Sequence, residues 1–477
     1  MVALMGVLFV AGYILISLEH TVKINKAATA LVVSMVLWTL YTLAAPGLLT
    51  GAAATEFHHY LAAHPALSQL SHHAQIVDYV VNVQLLEHVG DVGEIVFFLM
   101  GAMTVVELID VHSGFSIITD KITTRNKRKL LWLLVVITFF LSAVIDNLTT
   151  AIVMVALLNK IVPDKQERWW FASILILAAN SGGAWSPIGD VTTILLWVKG
   201  TVTPSKLMEY VLLPSIVSVL VPLAIVSHRM KGEVTPVPGA HKEQKTHEQV
   251  VDYRRKLTIL ILGIGGLLSV PMYKSITHLP PFTGVMLVLG ILWMITDYMY
   301  RKMPDDLPFH LRVATVIKRI DISTLLFFMG ILMSVAALQA AGALTVASRF
   351  LEDSFRNVYV INLLIGALSA VVDNVPLVAA ALGLYPVVDP ATLPAMVDPS
   401  FMEYFVRDGI YWHFLTYCAG VGGSMLIIGS AAGVVVMGME KIHFTWYLKK
   451  ISFLALLGYL AGAAVFVLEV FLMHGCL

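Results

Sequence analysis

Charged residues are scarce in this chain. Asp, Glu, Lys and Arg make up 13% of its 477 residues, whereas 58% are hydrophobic, and the basic and acidic residues balance. Because soluble domains typically carry about 25% charged residues, this composition excludes an ordinary water-soluble protein and gives no indication of a nucleic-acid partner. Apolar runs recur at roughly 17–25 residues, the length that a helix needs to cross the ~30 Å hydrocarbon core of a bilayer. The composition therefore predicts an all-α polytopic membrane protein.

Cysteine is almost absent, and the motifs of intramembrane enzymes are missing. The two cysteines, Cys418 and Cys476, cannot form a disulfide framework and show no metal-ligand spacing. An intramembrane protease would need a His-Glu-x-x-His helix, or a serine with a histidine, in an apolar segment. The apolar segments contain neither arrangement, since His413 and His443 are isolated. We therefore expect a protein that is not an enzyme and that needs no cofactor.

One polar stretch within the apolar segments occurs twice. Ser-Ala-Val-Ile-Asp-Asn-Leu-Thr-Thr at 142–150 returns 227 residues later as Ser-Ala-Val-Val-Asp-Asn-Val-Pro at 369–376, with five of the first seven positions identical. A charged side chain at the bilayer centre costs about 2.5–3.5 kcal/mol on insertion scales, so two copies of this feature indicate function. We interpret Asp146 and Asp373 as the paired halves of one ion site.

Similarities in the same order along both halves indicate an internal duplication. The corresponding positions are the two Asp-Asn stretches, Phe98–Gly101 with Phe327–Gly330, and Gly182, Gly183 and Gly189 with Gly422, Gly423 and Gly429. Residues 228–256 are charged and contain prolines, which makes them too polar for lipid. They divide the chain into a first repeat at 1–227 and a second repeat at 257–477.

The distribution of basic residues predicts the orientation of the two repeats. Suppose that 129–160 and 358–388 each enter the membrane and return to the same side as re-entrant hairpins. Each repeat then crosses the membrane five times, the second repeat is inverted, and 25 of the 31 Lys and Arg residues lie on the cytoplasmic side together with the linker 228–256. Full crossings by these segments would abolish that bias. Both termini then lie outside, as does a long loop at about 50–92 that contains no Lys or Arg.

Two further segments should be discontinuous helices. Segments 169–198 and 410–438 contain glycines within apolar runs, and non-helical backbone at membrane depth is tolerated only where protein or a cavity covers it. Carbonyl, carboxylate, amide and hydroxyl oxygens at such breaks suit a small hard cation such as Na⁺. The side chains that we expect to bind it are Asp146, Asn147, Thr149, Thr150 and Ser181 from the first repeat and Asp373, Asn374, Ser369 and Ser424 from the second.

Two buried acids at one cation site suggest an exchange mechanism. A buried carboxylate favours its protonated form unless a cation is bound, so one acid holds either H⁺ or Na⁺. Two such acids would allow two protons to exchange for each Na⁺, and this exchange would move net charge.

The motifs SAVIDNLTT, NSGGAWSPIGDVTTILLW, SAVVDNVPLVAAALGLY and GVGGSMLIIGSAAG resemble those of NhaD-type sodium/proton antiporters of the ion transporter superfamily. The resemblance implies a homodimer, in which a scaffold domain holds the dimer and a transport domain carries two re-entrant hairpins and two discontinuous helices. It also implies transport-associated roles for Glu94, Asn180, Asp190, Thr192, Thr193 and Ser430. We expect an inner-membrane protein that exports Na⁺, and also Li⁺, in exchange for H⁺ by alternating access.

The leading alternative is a sodium-coupled symporter of a dicarboxylate or an oxyanion. Related dicarboxylate carriers have Ser-Asn-Thr at the hairpin tips, where this chain has Asp146-Asn147-Leu148 and Asp373-Asn374-Val375. An anion needs compensating positive charge, yet the four breaks contain no Lys or Arg, and two aspartates would repel it. These differences favour proton exchange.

Structural interpretations of the same residues stay open. Asp146, Asp373 and Asp190 could cap half-helices, because Asp and Asn are favoured at helix N-termini. Glu94 begins a span and could lie at the membrane interface, and Thr192 and Thr193 could bond to backbone carbonyls within their helix. The loop at about 50–92 could sense pH or bind a metal through its six histidines, which are His58, His59, His64, His72, His73 and His88.

Overall fold

The computed structural model of the chain describes residues 1–17, 19–49, 52–119, 122, 124–234, 252–301, 311–344, 355, 357–396 and 398–474. Most of the expected linker 228–256 therefore lies outside the described residues. The helices are α1 (Val2–Ser17), α2 (Glu19–Val22), α3 (Lys26–Ala44), α4 (Ala52–Ala63), α5 (His72–Tyr79), α6 (Leu86–Val111), α7 (Ser116–Thr119), α8 (Lys127–Ile145), α9 (Asn147–Ile161), α10 (Lys165–Ala184), α11 (Val191–Val198), α12 (Pro204–Arg229), α13 (Tyr253–Thr277), α14 (Pro281–Tyr300), α15 (Val313–Val316), α16 (Ile322–Ala340), α17 (Val358–Ser369), α18 (Asn374–Leu384), α19 (Pro399–Met402), α20 (Ile410–Gly422), α21 (Ala431–Glu440), α22 (Phe444–Lys450) and α23 (Ser452–His474).

Shorter elements connect these helices. They are 3₁₀ turns at Ala45–Gly47, Pro65–Gln69, Ile317–Arg319, Pro390–Ala395 and Glu403–Phe405, a π-helical segment at Val80–Leu85, and isolated β-bridges between Asn126 and Glu233 and between Val388 and Val406.

Eight helical segments within the described ranges are long and apolar enough to cross a membrane. They are Lys26–Gly47, His72–Val111, Lys127–Ile145, Pro204–Arg229, Tyr253–Thr277, Pro281–Tyr300, Ile322–Ala340 and Ser452–Met473. The chain is therefore an all-helical polytopic membrane protein, which confirms the expectation from its composition.

The long loop expected at about 50–92 is largely helical, so that part of the sequence interpretation was wrong. Helices α4 and α5 lie within it, and the π-helical segment continues α5 into α6. The aromatic residues explain the order, because the rings of Phe57 and Tyr60 each lie 5.5 Å from that of Tyr79. The Tyr60 hydroxyl also donates to Asp78 at 2.7 Å. Basic residues are absent from this stretch, but apolar and aromatic residues are frequent enough to fold it.

The chain forms two compact units, and each sequence half contributes to both. The first unit comprises 1–96, 321–357 and 379–386. In it, α3 packs on α16, where the Trp38 indole donates to the carbonyl of Met333 at 2.9 Å and Gly330 lies against the backbone of Ala30. Glu94 belongs to this unit and is partly buried.

The second unit comprises 97–320, 358–378 and 387–477, and it contains every other residue expected at the ion site. Its long helices α12 and α23 pack together, and the Tyr417 hydroxyl of α20 donates to the carbonyl of Tyr459 on α23 at 2.7 Å. Helix α8 packs on α10 in the first half, and α17 packs on α20 in the second. These two pairs bring the four helix breaks into one unit.

Candidate ion-binding site

The first break lies at Asp146, between α8 and α9. Its carboxylate caps α9, accepting hydrogen bonds from the Thr149 backbone N–H at 2.8 Å and from the Thr149 hydroxyl at 2.9 Å. Asp146 has φ 76°, in the region that favours glycine. A non-glycine residue in such a conformation costs about 1–3 kcal/mol and persists only where its surroundings impose it, as they often do at functional sites. Asp146 is thus both a cap and a strained residue.

The second break is longer and is built differently. Helix α17 ends at Ser369 and α18 begins at Asn374, so Asp373 directly precedes a helix as Asp146 does. Pro376 occupies the position that corresponds to Thr149. Because proline has no N–H and no hydroxyl, Pro376 cannot give Asp373 the two bonds that Thr149 gives Asp146. The two acids are therefore equivalent in sequence but not in local chemistry.

The discontinuous helices break at corresponding places. Helix α10 ends at Ala184 and resumes as α11 after Asp190, which caps α11 by accepting from the Thr192 N–H at 3.0 Å and donating its own N–H to the Thr193 hydroxyl at 3.3 Å. In the second half, α20 ends at Gly422 and resumes as α21 after Ser430, whose hydroxyl accepts from the Gly433 N–H at 3.1 Å. Both capping side chains are buried.

Asp190 lies at the centre of a buried polar network that joins the two halves. Its second carboxylate oxygen accepts hydrogen bonds from the side-chain amides of Asn147, at 2.8 Å, and Asn374, at 3.3 Å. The Asn147 amide also donates to the Asn180 side-chain oxygen at 3.2 Å. Asp190 therefore acts as a helix cap and binds both Asp-Asn stretches at once.

Asn180 extends this network to the second discontinuous helix. Its amide nitrogen donates to the hydroxyls of Ser424 and Ser430, both at 2.9 Å. All three side chains are buried. Asn180 thereby links the two discontinuous helices directly, a connection that neither half of the sequence indicates by itself.

Two further acids, Asp146 and Asp373, act on the Asp190 carboxylate through their charges. Within the described ranges no three acidic side chains are close enough together to form a ready-made metal site, so the network and the two acids are neighbours rather than one cluster. The side-chain hydrogen bonds of the network join only Asn, Asp and Ser residues. Near the first break, the buried hydroxyl of Thr150 has no hydrogen-bond partner among the residues that the structure describes. Acidic, amide and hydroxyl oxygens are a donor set for a hard cation.

Two serines expected at the site have other contacts in the structure. The Ser369 hydroxyl donates to the Ala419 carbonyl at 2.9 Å, and the Ser142 hydroxyl donates in the same way to the Ala179 carbonyl at 2.5 Å. The Ser181 hydroxyl pairs with that of Ser218 on α12 at 2.9 Å. Ser369 and Ser181 thus join neighbouring helices, whereas the network itself holds Asn147, Asn374, Ser424 and Asp190.

Glycines allow the backbones of each half to approach closely at these breaks. A Cβ on Gly182 would collide with the carbonyl oxygen of Phe139, and one on Gly422 would collide with that of Gly366. Phe139 and Gly366 are 227 positions apart, the same offset as Asp146 and Asp373. The two halves therefore repeat their contacts as well as their sequence.

Comparison with known proteins gives consistent results. Residues 13–402 match the family described as "Citrate transporter". "Sodium/proton antiporter 1" and "Sodium/proton antiporter 2" of Arabidopsis thaliana are 40% and 38% identical to the chain, covering 97% and 96% of it and 71% and 97% of their own lengths. "Na(+)/H(+) antiporter NhaD" of Alkalimonas amylolytica is 32% identical over 61% of this chain and 58% of that protein.

The helical fold, the buried network and the matched family define a polytopic membrane transporter. Within that class, the chain belongs to the citrate transporter family and, inside it, to the NhaD-type sodium/proton antiporters.

Proposed function

We propose that the chain is a secondary active antiporter that exchanges Na⁺ for H⁺. The observation that carries this proposal is the network in which Asp190 accepts hydrogen bonds from Asn147 and Asn374, close to the charges of Asp146 and Asp373. A buried carboxylate such as that of Asp190, whose hydrogen-bond partners in the network are amides and backbone N–H groups, favours a cation or a proton nearby. The names of the Arabidopsis and bacterial relatives agree with this proposal.

The proposed cycle follows from competition for the same oxygens. When Na⁺ binds, the acids are ionised and provide oxygen ligands together with Asn147, Thr150 and Ser424. When Na⁺ leaves, the acids take up protons, because isolated buried carboxylates are costly as anions. Li⁺ prefers oxygen ligands of the same kind, so we include it as a second substrate. In the cell, this cycle would export Na⁺ across the inner membrane.

The proposed architecture is a pair of inverted repeats with two re-entrant hairpins. It is supported by contacts between opposite ends of the discontinuous helices. The Trp169 indole near the start of α10 donates to the carbonyl of Glu440 at the end of α21 at 3.0 Å. The Asp408 N–H before α20 donates to the carbonyl of Thr201 after α11 at 2.8 Å. Each broken helix thus begins where the other ends, as antiparallel elements do.

Alternating access, both termini outside and a homodimer complete the proposal. The positive-inside distribution of Lys and Arg supports the orientation, and the family resemblance supports the dimer and the moving transport domain.

The alternative function is sodium-coupled symport of an anion, because the matched family is described as "Citrate transporter". A tricarboxylate substrate would have to bind beside Asp146, Asp190 and Asp373 with no basic side chain in the network described above. Like charges at such distances strongly disfavour binding unless further cations accompany the substrate. The site chemistry therefore favours proton exchange.

The test is proton movement in reconstituted vesicles that contain a pH-sensitive dye. A pulse of Na⁺ or Li⁺ should move protons in the opposite direction for the wild type, and citrate should add nothing. Asp146→Asn and Asp373→Asn should lose at least about tenfold in rate, a loss of roughly 1.4 kcal/mol or more in transition-state stabilisation. The matched control is Asp297→Asn, which changes an exposed acid on α14 and should retain the wild-type rate. Wild-type exchange by either site variant would remove that acid from the mechanism.

A further inference from the structure

A buried ion pair lies at the ends of the helices that face away from the network. Glu440 is the last residue of α21, and its side chain is fully buried. One carboxylate oxygen accepts from Nε of Arg168 at 3.0 Å, and the other has no hydrogen-bond partner within the described ranges. A buried carboxylate depends on the charge of its partner, so Glu440 depends on Arg168.

Arg168 joins three helix ends at this point. It lies in the first turn of α10, and its Nη1 donates to the carbonyls of Val162, at 3.1 Å, and Pro163, at 2.9 Å, directly after α9. The backbone of Glu440 is held as well, since its carbonyl accepts from the Trp169 indole at 3.0 Å. The guanidinium therefore connects the end of α9, the start of α10 and the end of α21.

The opposite ends of the same helices carry site residues. Asp146 caps the start of α9, Ser430 caps the start of α21, and Asn180 on α10 donates to Ser430 at 2.9 Å. At 1.5 Å of rise per residue, Arg168 lies about 18 Å from Asn180 along α10, and Glu440 lies about 15 Å from Ser430 along α21. Helices α10 and α21 are thus fixed to each other at both ends.

The corresponding contact in the second half is made by Asp408, which also lies 3.6 Å from Nε2 of His413. Asp408 precedes α20, and its carboxylate accepts from the N–H of Thr203 at 2.6 Å and from the Thr203 hydroxyl at 3.1 Å. The end of α9, the start of α10 and the end of α21, which lie far from the network, are therefore joined by a buried carboxylate and a guanidinium. The contact at Asp408 joins its helix ends without a guanidinium.

We infer that Arg168 and Glu440 are a positioning pair for the cation site. They fix α9, α10 and α21 relative to one another, and thereby set the spacing of Asp146, Asn180 and Ser430. Neither residue takes part in the network itself, so both act through the helices. The inference rests on the proposed function, because it assigns the pair a role in cation affinity and selectivity.

The test uses the double variant Arg168→Met/Glu440→Gln, which removes the pair without leaving a buried lone charge. Its control is Lys206→Met/Glu209→Gln, which removes the exposed pair on α12 joined at 2.8 Å. Four quantities are measured: the half-saturating Na⁺ concentration, the ratio of Li⁺ to Na⁺ affinity, the maximal rate and the melting temperature in detergent. The Arg168→Lys variant, which keeps the charge but loses the planar fork, is measured beside them.

A positioning role predicts that the double variant folds but needs roughly 2- to 30-fold more Na⁺, the range seen for mutations along coupled networks. Its Li⁺ to Na⁺ ratio should change as well, with Arg168→Lys in between and the control unchanged. If the double variant only melts earlier, with unchanged half-saturation and ratio, the pair is structural and the inference is overturned.

Stabilisation of the purified protein by Na⁺ separates this outcome from failure of the proposed function. A wild type that binds Na⁺ but moves no protons refutes the antiport, while Na⁺ titration of its melting temperature still tests the pair. If the wild type neither binds Na⁺ nor moves protons, both the proposed antiport and the positioning role of the ion pair are refuted.

Discussion

Asp190 is the residue at which the two halves of the chain meet chemically. Its carboxylate uses one oxygen to cap α11 and the other to accept from Asn147 and Asn374. A structural cap alone would not need amides from two distant stretches of the chain. Because Asp190 has both roles, a variant that removes its whole side chain would lose the helix cap and the charge at the same time. The informative substitution keeps the cap and removes the charge.

We predict that Asp190→Asn folds but loses Na⁺-driven proton exchange. Asn is about as good as Asp at a helix N-cap, so α11 keeps its cap and the protein should fold. The amide nitrogen that replaces the second oxygen cannot accept from Asn147 and Asn374, so the melting temperature in detergent should fall modestly. The missing charge removes one cation ligand and one proton acceptor, so the exchange rate in vesicles should fall at least about tenfold, or by roughly 1.4 kcal/mol. Unchanged exchange by the folded variant would show that Asp190 is only a structural residue.

Asp146 and Asp373 should differ in stability although they occupy equivalent positions. Asp146 receives two hydrogen bonds from Thr149, whereas Pro376 at the corresponding position can donate none. We predict that Asp146→Ala lowers the free energy of unfolding by about 0.5–2 kcal/mol more than Asp373→Ala, the usual cost of losing an N-cap. Thermal unfolding in detergent measures this difference. Equal losses would mean that the cap contributes nothing measurable.

The residues that could be predicted from sequence are those marked by duplication or by family motifs. Asp146 and Asp373, with the asparagines that follow them, stand out because polar residues return at a fixed offset inside apolar runs. The partners of Ser181 and Ser369 could not be predicted, since the direction of a hydroxyl depends on the rotation of its helix against the neighbours. The offset itself offered a signal: Ser142 is the counterpart of Ser369, and both bond to a carbonyl of the adjacent discontinuous helix.

At the scale of elements, close backbone contact holds the helix before each Asp-Asn break, α8 or α17, against the neighbouring discontinuous helix. Gly182 on α10 lies against the Phe139 carbonyl of α8, and Gly422 on α20 lies against the Gly366 carbonyl of α17. Because the opposing atoms are backbone, a side chain at either glycine cannot be accommodated by a rotamer change. The breaks are therefore positioned by backbone packing as well as by hydrogen bonds.

We predict that Gly182→Ala and Gly422→Ala each destabilise the protein by about 1–3 kcal/mol, as overpacked contacts do, and reduce exchange. The matched control is Gly438→Ala on α21, where a Cβ would meet nothing within 4 Å. That change should be neutral or stabilise by up to about 1 kcal/mol, because alanine is the better helix former. Unfolding and vesicle exchange measure both effects. Normal behaviour of the two site glycine variants would contradict the close packing.

The lengths of the apolar runs predicted most of the helices. The prediction was wrong where it depended only on the absence of basic residues. The stretch at about 50–92 was interpreted as a loop because it lacks basic residues and carries several histidines. Its aromatic residues instead hold α4 and α5 together, with Tyr79 donating to Glu56 at 3.2 Å and Tyr60 donating to Asp78. Within the described residues, no group of three or more His, Cys, Asp and Glu side chains could hold a metal ion, so the metal alternative for the histidines gains no support.

At the scale of the whole molecule, the central question is whether the second half of the chain runs through the membrane in the opposite direction to the first half. The start of α10 contacts the end of α21, and the residue before α20 contacts the residue after α11. Antiparallel broken helices in one unit require that their starts lie at opposite ends of that unit. If the unit spans the bilayer, the two starts face opposite compartments, which is the property that distinguishes inverted from parallel repeats.

We predict that single cysteines placed before the two broken helices are labelled from opposite sides of the membrane. The suitable positions are Gln166→Cys and Arg407→Cys, both exposed in the structure, in a background where Cys418 and Cys476 are replaced by alanine. Impermeant thiol reagent applied to intact cells should label the Arg407 position, and the Gln166 position should react only after permeabilisation, because basic residues cluster near Gln166. Exchange activity of each variant serves as the control for correct folding. Labelling of both positions from one side would exclude inverted repeats, and the proposed pairing of Asp146 with Asp373 would then need parallel halves that cross the membrane in the same sense.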